Sequence, residues 1–307
     1  MCVQIIVDSS TNVSEKYREK IQFVPLTVRF GDKEYLDGVE ISKHQFYEML
    51  VESDVLPTTS QATPAAFADC FEAIASAGDS AVVITLSSKL SGTYQSAVLA
   101  AEDYPNIYVV DSQSVAIGTG VLAQYAVELA QQGMGAEEIA QVLTQQREKV
   151  CVVALLDTLE YLKKGGRISK TVAFAGGMLN IKPVVTIQDG AVALIGKARG
   201  SRNGNNLLVE KIREAGGVDF ERPVLLGYTG LSSALLEKYV DDSKALWADH
   251  VDKLDGCLLC SVIGTHAGPG AVAVAFSRKD ASLLQRIETA LELSASPTEV
   301  PEEQPEG

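Results

Sequence analysis

Three short stretches carry the residues with which this chain could do chemistry. They are Ser87-Ser88-Lys89-Leu90-Ser91-Gly92-Thr93, Thr58-Thr59-Ser60-Gln61, and Gly264-Thr265-His266-Ala267-Gly268-Pro269-Gly270. The first lies between an apolar run, residues 81–86, that reads as a buried strand and a segment, residues 94–101, that reads as a helix. A strand-to-helix turn of this kind aims free N–H groups and hydroxyls at a small anion. His266 sits among small residues that let a ligand approach the backbone. Hydroxyls, N–H groups and one imidazole together suit a carboxylate or phosphate oxygen. The same set admits a second chemistry, with Ser91 as nucleophile, His266 as its base and the turn amides as an oxyanion site. That would be a hydrolase acting on an acyl or phosphoryl ester. It lacks a neighbouring carboxylate to orient His266, which Asp8 or Asp111 would have to supply from a distance.

Other chemistries are excluded by pattern. The chain has no P-loop, no G-x-S-x-G elbow and no G-x-G-x-x-G after its first strand. Its three histidines, His44, His250 and His266, assemble no metal site from local spacing, and no metal is expected. Cys257-Leu258-Leu259-Cys260 fits C-x-x-C, but it lies in an apolar run that reads as a strand. Residues three apart on a strand face opposite sides, so these cysteines read as structural. With 307 residues, 46% hydrophobic and 21% charged, the chain has the makings of a substantial core. A net charge of −14 argues against nucleic acid as a partner. No apolar run approaches a membrane span, and the first residues lack a signal-peptide pattern, so a cytoplasmic protein is expected.

The elements that must position these residues read as α/β. Strands at residues 3–7, 81–86 and 107–110 alternate with helices, which indicates a mostly parallel sheet with crossovers. Residues 24–30 read as one further strand whose Pro25 places it at an edge or at the strand's start, and residues 56–64 read as a loop rich in hydroxyls. Ser14 caps an expected helix to Ile21, Ser42 and Gln45 form a capping box, and Thr63-Pro64 opens a helix. Near Val150 the pattern changes. Asp189-Gly190 between two alternating runs predicts an antiparallel hairpin. A strand is expected at 258–263, with the His266 stretch as the loop after it. The expected organisation is an N-terminal α/β domain over 1–150, a second α/β domain with a mixed or antiparallel sheet over 151–293, and a disordered acidic tail over 294–307.

Six motifs occur in a fixed order: Asp8-Ser9-Ser10, Thr59-Ser60-Gln61, Leu90-Ser91-Gly92-Thr93-Tyr94-Gln95-Ser96-Ala97, Val110-Asp111-Ser112, Lys164-Gly165-Gly166-Arg167-Ile168 and His266-Ala267-Gly268-Pro269-Gly270. Together they resemble the DegV family, bacterial fatty-acid-binding proteins that work with a fatty acid kinase. The resemblance covers residues 3 to 280. It departs at Gln61-Ala62-Thr63-Pro64, where Pro directly after the Gln is the commoner pattern, and at the extra acidic tail.

The resemblance implies a two-domain α/β fold holding one long-chain fatty acid and no cofactor. It places the carboxylate on Thr59, on Ser91 with the adjacent Gly92 and Thr93, and on His266 with Ala267. A carboxylate can be held by hydroxyls and helix-start N–H groups without an Arg partner. The acyl tail needs an apolar tunnel, for which Phe174, Met178, Leu179 and Ile263 are candidates. In this family the kinase phosphorylates the bound carboxylate and the acyl phosphate goes to phospholipid synthesis. That implies a carrier without catalytic residues of its own. Lys163, Lys164, Arg167, Arg199 and Arg202 are the main basic clusters in an acidic chain, and they are candidates for a kinase-docking face with transient membrane-surface contact.

Overall fold

The computed structural model describes residues 2–169 and 180–279. The first part of the chain runs β1 (Val3–Asp8), α1 (Glu15–Arg18), β2 (Ile21–Val24), β3 (Thr27–Phe30), β4 (Lys33–Leu36), α2 (Lys43–Glu52), β5 (Thr58–Ser60), α3 (Pro64–Ser76), β6 (Ser80–Thr85), α4 (Thr93–Ala101), β7 (Ile107–Asp111), α5 (Ile117–Gln131) and α6 (Ala136–Gln146). The remainder runs β8 (Val150–Leu155), α7 (Glu160–Lys164), β9 (Ile181–Gln188), β10 (Ala191–Arg199), α8 (Ser201–Glu214), β11 (Leu225–Tyr228), α9 (Ala234–Asp242), α10 (Lys244–Trp247), β12 (Asp255–Leu258), α11 (Ser261–Ala267) and β13 (Val272–Ser277).

Strands β2-β1-β6-β7 form a parallel sheet in that order. Its central strand β6 is buried along its whole length, which is why residues 81–86 carry an unbroken apolar run rather than an alternating one. A second, mixed sheet has the order β10-β9-β8-β13-β11-β12, in which only β11 and β12 are parallel neighbours. The chain is therefore α/β with one parallel and one mixed sheet. Helix α5 lies between the two sheets and touches strands of both. It is buried nearly all round, so its sequence lacks a polar face. Gly120 is what allows this, because a Cβ there would sit 1.9 Å from the Asn12 carbonyl oxygen.

Several local expectations hold at atomic detail. Ser42 and Gln45 close both halves of the capping box. Thr63 caps α3 with Pro64 in its first turn. Asp189 and Gly190 take φ of 50° and 78°, the left-handed pair a two-residue hairpin turn requires.

Four expectations are corrected. Residues 24–30 are not one strand. Pro25 cannot donate to a ladder, and the chain leaves the parallel sheet there to begin a three-stranded antiparallel sheet, β4-β3-β5. The Thr58–Gln61 stretch is not a loop: Thr58, Thr59 and Ser60 pair with Arg29, Val28 and Thr27. Helix α1 ends at Arg18, and Ser14 makes no side-chain cap to it. Most consequential, residues 261–267 form helix α11, so His266 stands on a helix rather than in a loop after a strand. Cys257 belongs to β12 while Cys260 is the N-cap of α11, so the two do not share a strand.

Candidate ligand-binding site

The site begins with how α11 is held. Its local sequence offers no Ser, Thr, Asp or Asn at the N-cap. Side chains from the first third of the chain do the work instead. Asn12 Oδ1 accepts from the Cys260 N–H at 2.8 Å, and Asp37 Oδ1 accepts from the Ser261 N–H at 3.2 Å. Lys43 Nζ donates to the Leu258 carbonyl at 2.8 Å and the Tyr47 hydroxyl donates to the Leu259 carbonyl at 3.1 Å. Four consecutive backbone positions are thus fixed from outside. Gly264 then lets α11 lie on the Phe46 and Tyr47 rings, which a Cβ would approach to 2.5–2.9 Å.

So fixed, α11 carries His266 to β5, where Nε2 lies 2.9 Å from Thr59 Oγ1. Nδ1 is enclosed and has no hydrogen-bond partner among the described residues. Burial, with the Arg167 charge second, brings the imidazole pKa down to about 4, so the ring is neutral at ordinary pH. A neutral imidazole has one donor and one acceptor nitrogen. An enclosed N–H without a partner is rarer than an unused lone pair, which assigns the proton to Nε2. Nε2–H then donates to Thr59 Oγ1, and the Thr59 hydroxyl hydrogen is left to point elsewhere.

Three further polar groups gather beside this pair. Arg167, half-buried, donates from Nε to the Leu90 carbonyl at 3.2 Å and from Nη1 to the Gly165 carbonyl at 2.6 Å. Gly165 in turn abuts His266 Nδ1. Ser91 Oγ is 2.9 Å from Thr93 Oγ1 and accepts from the Thr93 N–H at 3.3 Å. Gln61 lies over Gly92 and donates from Nε2 to Ser96 Oγ at 2.9 Å. Helix α4 starts here, with Gly92 as its N-cap and no side-chain cap on that residue.

These groups sit at one end of a cavity between the two sheets. The space within its lining, open solvent at the mouth included, is about 960 Å³. Leu86 and Leu90 after β6 and Val115, Ala116 and Ile117 before α5 form one wall. Val152, Ala154 and Leu156 of β8 and its exit, Val185 and Ile187 of β9, Val192 of β10, and Ala271 and Ala273 around β13 form the other. Leu26, Leu162, Leu259, Val262, Ile263 and Ala267 complete the lining. Thr186 is the polar residue away from the His266 end, and its hydroxyl is spent on the Val152 carbonyl at 2.7 Å.

Of the residues singled out from sequence, Thr59, Ser91, His266, Ala267 and Ile263 line this cavity. Gly92 and Thr93 stand directly behind Ser91, with Thr93 fully buried. Arg167 also lines it, at the polar end rather than on an outer face. Arg199 and Arg202 are exposed and lie outside it. Phe174, Met178 and Leu179 fall outside the described residues, as do the segment 280–293 and the tail 294–307. Sequence reasoning had Gln61 within one of its three stretches without giving it a role of its own, and missed nearly all the apolar wall. The wall residues look like ordinary core in sequence, and only the sheet-to-sheet geometry separates them.

Among the described residues, Ser91 and His266 are not paired as nucleophile and base. Ser91 is hydrogen-bonded to Thr93, and His266 to Thr59. Asp8 spends its carboxylate on the Ser10 N–H and hydroxyl and on the Leu86 N–H. Asp111 is committed to Ser88 and the Gln113 N–H. Neither aspartate orients His266. Among the described residues no group of three or more His, Cys, Asp or Glu side chains could hold a metal ion, and no helix is long and apolar enough to cross a membrane.

Comparison with known proteins places this geometry in a family. A DegV domain-containing protein of Caldanaerobacter subterraneus subsp. tengcongensis is 35% identical over 288 residues, covering 90% of this chain and 99% of that one. A structure from Thermus thermophilus, described as fatty acid binding of a DegV family protein, superposes with a TM-score of 0.80 at 30% identity, covering 90% of this chain and all of that one. A structure described as a stearic-acid-binding protein from Eubacterium ventriosum superposes with a TM-score of 0.80 at 28% identity, over 91% of this chain and 99% of that one. The model of the family described as "Uncharacterised protein, DegV family" matches residues 2–279, and the chain belongs to that family.

Proposed function

We propose that this protein binds one long-chain fatty acid, with the carboxylate at the Thr59, Ser91, Arg167 and His266 end and the acyl tail along the cavity. The observation that carries the reading is the segregation of the lining, with polar groups gathered at one end and apolar side chains elsewhere, Thr186 excepted, whose hydroxyl is spent on the Val152 carbonyl. The Thr59 oxygen accepts from His266 Nε2–H, which leaves the hydroxyl hydrogen as a ready donor to a carboxylate oxygen. Among the described residues, the Arg167 guanidinium is the one full positive charge in the lining. The tail supplies most of the affinity. About fifteen buried tail carbons at about 0.8 kcal/mol each give on the order of 12 kcal/mol gross. Binding by related DegV proteins supports the assignment.

The finer reading is a cytoplasmic carrier rather than an enzyme. A fatty acid kinase would phosphorylate the presented carboxylate, and the acyl phosphate would enter phospholipid synthesis. The exposed Arg199 and Arg202 are the docking candidates, while Arg167 serves the ligand. Native mass spectrometry of protein from bacterial cells, with titration of palmitate and oleate into delipidated protein, tests the binding. The expected result is a co-purifying fatty acid and saturable binding that Thr59→Val weakens. The absence of both a co-purifying fatty acid and saturable binding would remove the reading. Ester turnover by the wild type that Ser91→Ala abolishes would replace the carrier with an enzyme.

A further inference from the structure

Three of the eight large hydrophobic side chains exposed among the described residues, Val51, Val55 and Leu231, line two adjoining depressions. Together the depressions form a groove on the outer side of α2, away from the fatty-acid cavity. They share Tyr35, Met49 and Glu52. Its floor is apolar, with Ile41 3% and Phe30 8% exposed. Val51 and Leu231, 60% and 49% exposed, stand at the rim. An apolar patch of this kind, rimmed by polar groups, marks a docking site.

The charges choose the occupant. Glu40, Glu48 and Glu52 line the Leu231 half of the groove, all three exposed, and among the described residues no Lys or Arg lines that half. His44 approaches Glu48 at 3.6 Å, and Glu40 accepts the Leu36 N–H at 2.8 Å. Lys33 lies at the other end, in the Val55 half. A second copy of this chain seated about a two-fold axis would set glutamate against glutamate. An anionic lipid surface would be repelled for the same reason. A protein segment with apolar side chains on one helical face and Lys or Arg flanking them meets both the floor and the rim.

We infer that the outer face of α2 is a docking groove for a basic amphipathic segment of another protein. The groove is separate from the basic docking candidates Arg199 and Arg202 and stands independently of what the cavity holds. It is also one helix away from the head-group end, because the inner face of α2 presents Phe46 and Tyr47 to α11.

The test is a titration of isotope-labelled protein, followed by NMR, with two helical peptides of about four turns sharing one apolar face. One carries Lys flanks and the other Glu flanks. Anionic phosphatidylglycerol vesicles and a sedimentation experiment on the protein alone complete the set. The Lys-flanked peptide is expected to bind saturably, with shifts confined to Tyr35, Met49, Val51 and Leu231. Glu48→Lys with Glu52→Lys should weaken it about tenfold and admit the Glu-flanked peptide. Val51→Ser with Leu231→Ser should also weaken it, and since both side chains are exposed the melting temperature should not move. The inference is overturned by no saturable shift at millimolar Lys-flanked peptide. Equal binding by the charge-reversed variant, or vesicle binding or self-association mapped to this face, overturns it as well.

Discussion

Gly165 and Gly166 are adjacent, yet the structure requires glycine at each for a different reason, and the two can be separated by experiment. Gly165 closes α7 with φ −74° and ψ −9°, a conformation open to any residue. A Cβ there would lie 2.2 Å from His266 Nδ1 and 2.8 Å from its Cε1, so the imidazole has to leave. Leaving breaks the 2.9 Å bond to Thr59 and the orientation of the Thr59 hydroxyl. A net hydrogen bond is worth about 0.5–1.5 kcal/mol, and about 1.4 kcal/mol is tenfold, so Gly165→Ala should weaken fatty acid binding about two- to twelvefold. Its stability should change little, because a Gly→Ala change at a compatible φ gains about 0.4–1 kcal/mol through the unfolded chain. Gly166 is the reverse case. Its φ is +70° and no atom lies near a built Cβ. Ala there costs about 1–2 kcal/mol in backbone strain and touches nothing at the site. Displacement of a fluorescent fatty acid gives the affinities, and urea unfolding gives the stabilities. Wild-type affinity in Gly165→Ala, or an affinity loss in Gly166→Ala that matches it, would refute the argument that His266 acts through its seat on Gly165.

Three further outcomes follow from the same geometry. Asp37→Ala removes the acceptor for the Ser261 N–H and the Ser9 hydroxyl; it should lower stability by about 1–3 kcal/mol with an unchanged urea slope, and a loss below about 0.5 kcal/mol would contradict the capping role. The pH dependence of stability should be flatter than either of its parts. Asp8 is pushed up from 3.8 to about 6, chiefly by burial, so the fold keeps a proton the unfolded chain has released, and its contribution is full below pH 3.8 and is lost as pH rises to 6. Burial of Asp37 raises its pKa too and acts in the same direction. His266 is pulled down from 6.5 to about 4, so its contribution is present above pH 6.5 and is lost as pH falls to 4. Urea unfolding between pH 4 and 6.5 should therefore show a steeper rise with pH in Asp8→Asn and a fall with pH in His266→Gln; two variants with the wild-type profile would remove this account. Gly92→Ala meets only the end of the Gln61 side chain, at a backbone φ of −74°; Gln61 should release Ser96 with a stability loss under about 1 kcal/mol, and a cooperative collapse on thermal melting would show that the loop is tighter than drawn.

What could be read from sequence was what local chemistry determines. The Asp189-Gly190 turn, the Ser42 capping box and the buried strand β6 are set by residues within a few positions of one another, and each appears where expected. Helix α11 was legible only as an apolar run, which fits a buried strand as well as a buried helix. The groups that decide the matter, Asn12 and Asp37, lie 248 and 224 residues away. Thr58 to Ser60 make a strand through their partners in β3, and their own hydroxyl-rich composition gives no strand signal. At the site, hydroxyls and the imidazole declared themselves by type and spacing. Arg167 did not, because a loop arginine looks the same in sequence whether it faces solvent or turns inward to the Leu90 carbonyl.

The seating of α11 also orders events during synthesis. Thr59 and Ser91 leave the ribosome early, Thr59 in the antiparallel sheet β4-β3-β5 and Ser91 in the turn after β6, and the parallel sheet is complete by Asp111. His266 is 207 residues downstream of Thr59, and β13, which lines the cavity floor, ends at Ser277. A nascent chain therefore exposes its anion-gripping turn long before it can enclose an acyl tail. The sockets on Asn12, Asp37, Lys43 and Tyr47 stay vacant over the same interval. On the proposed function, loading of a fatty acid therefore waits for the finished molecule, since a chain ending before Ser261 lacks both His266 and the β13 part of the lining.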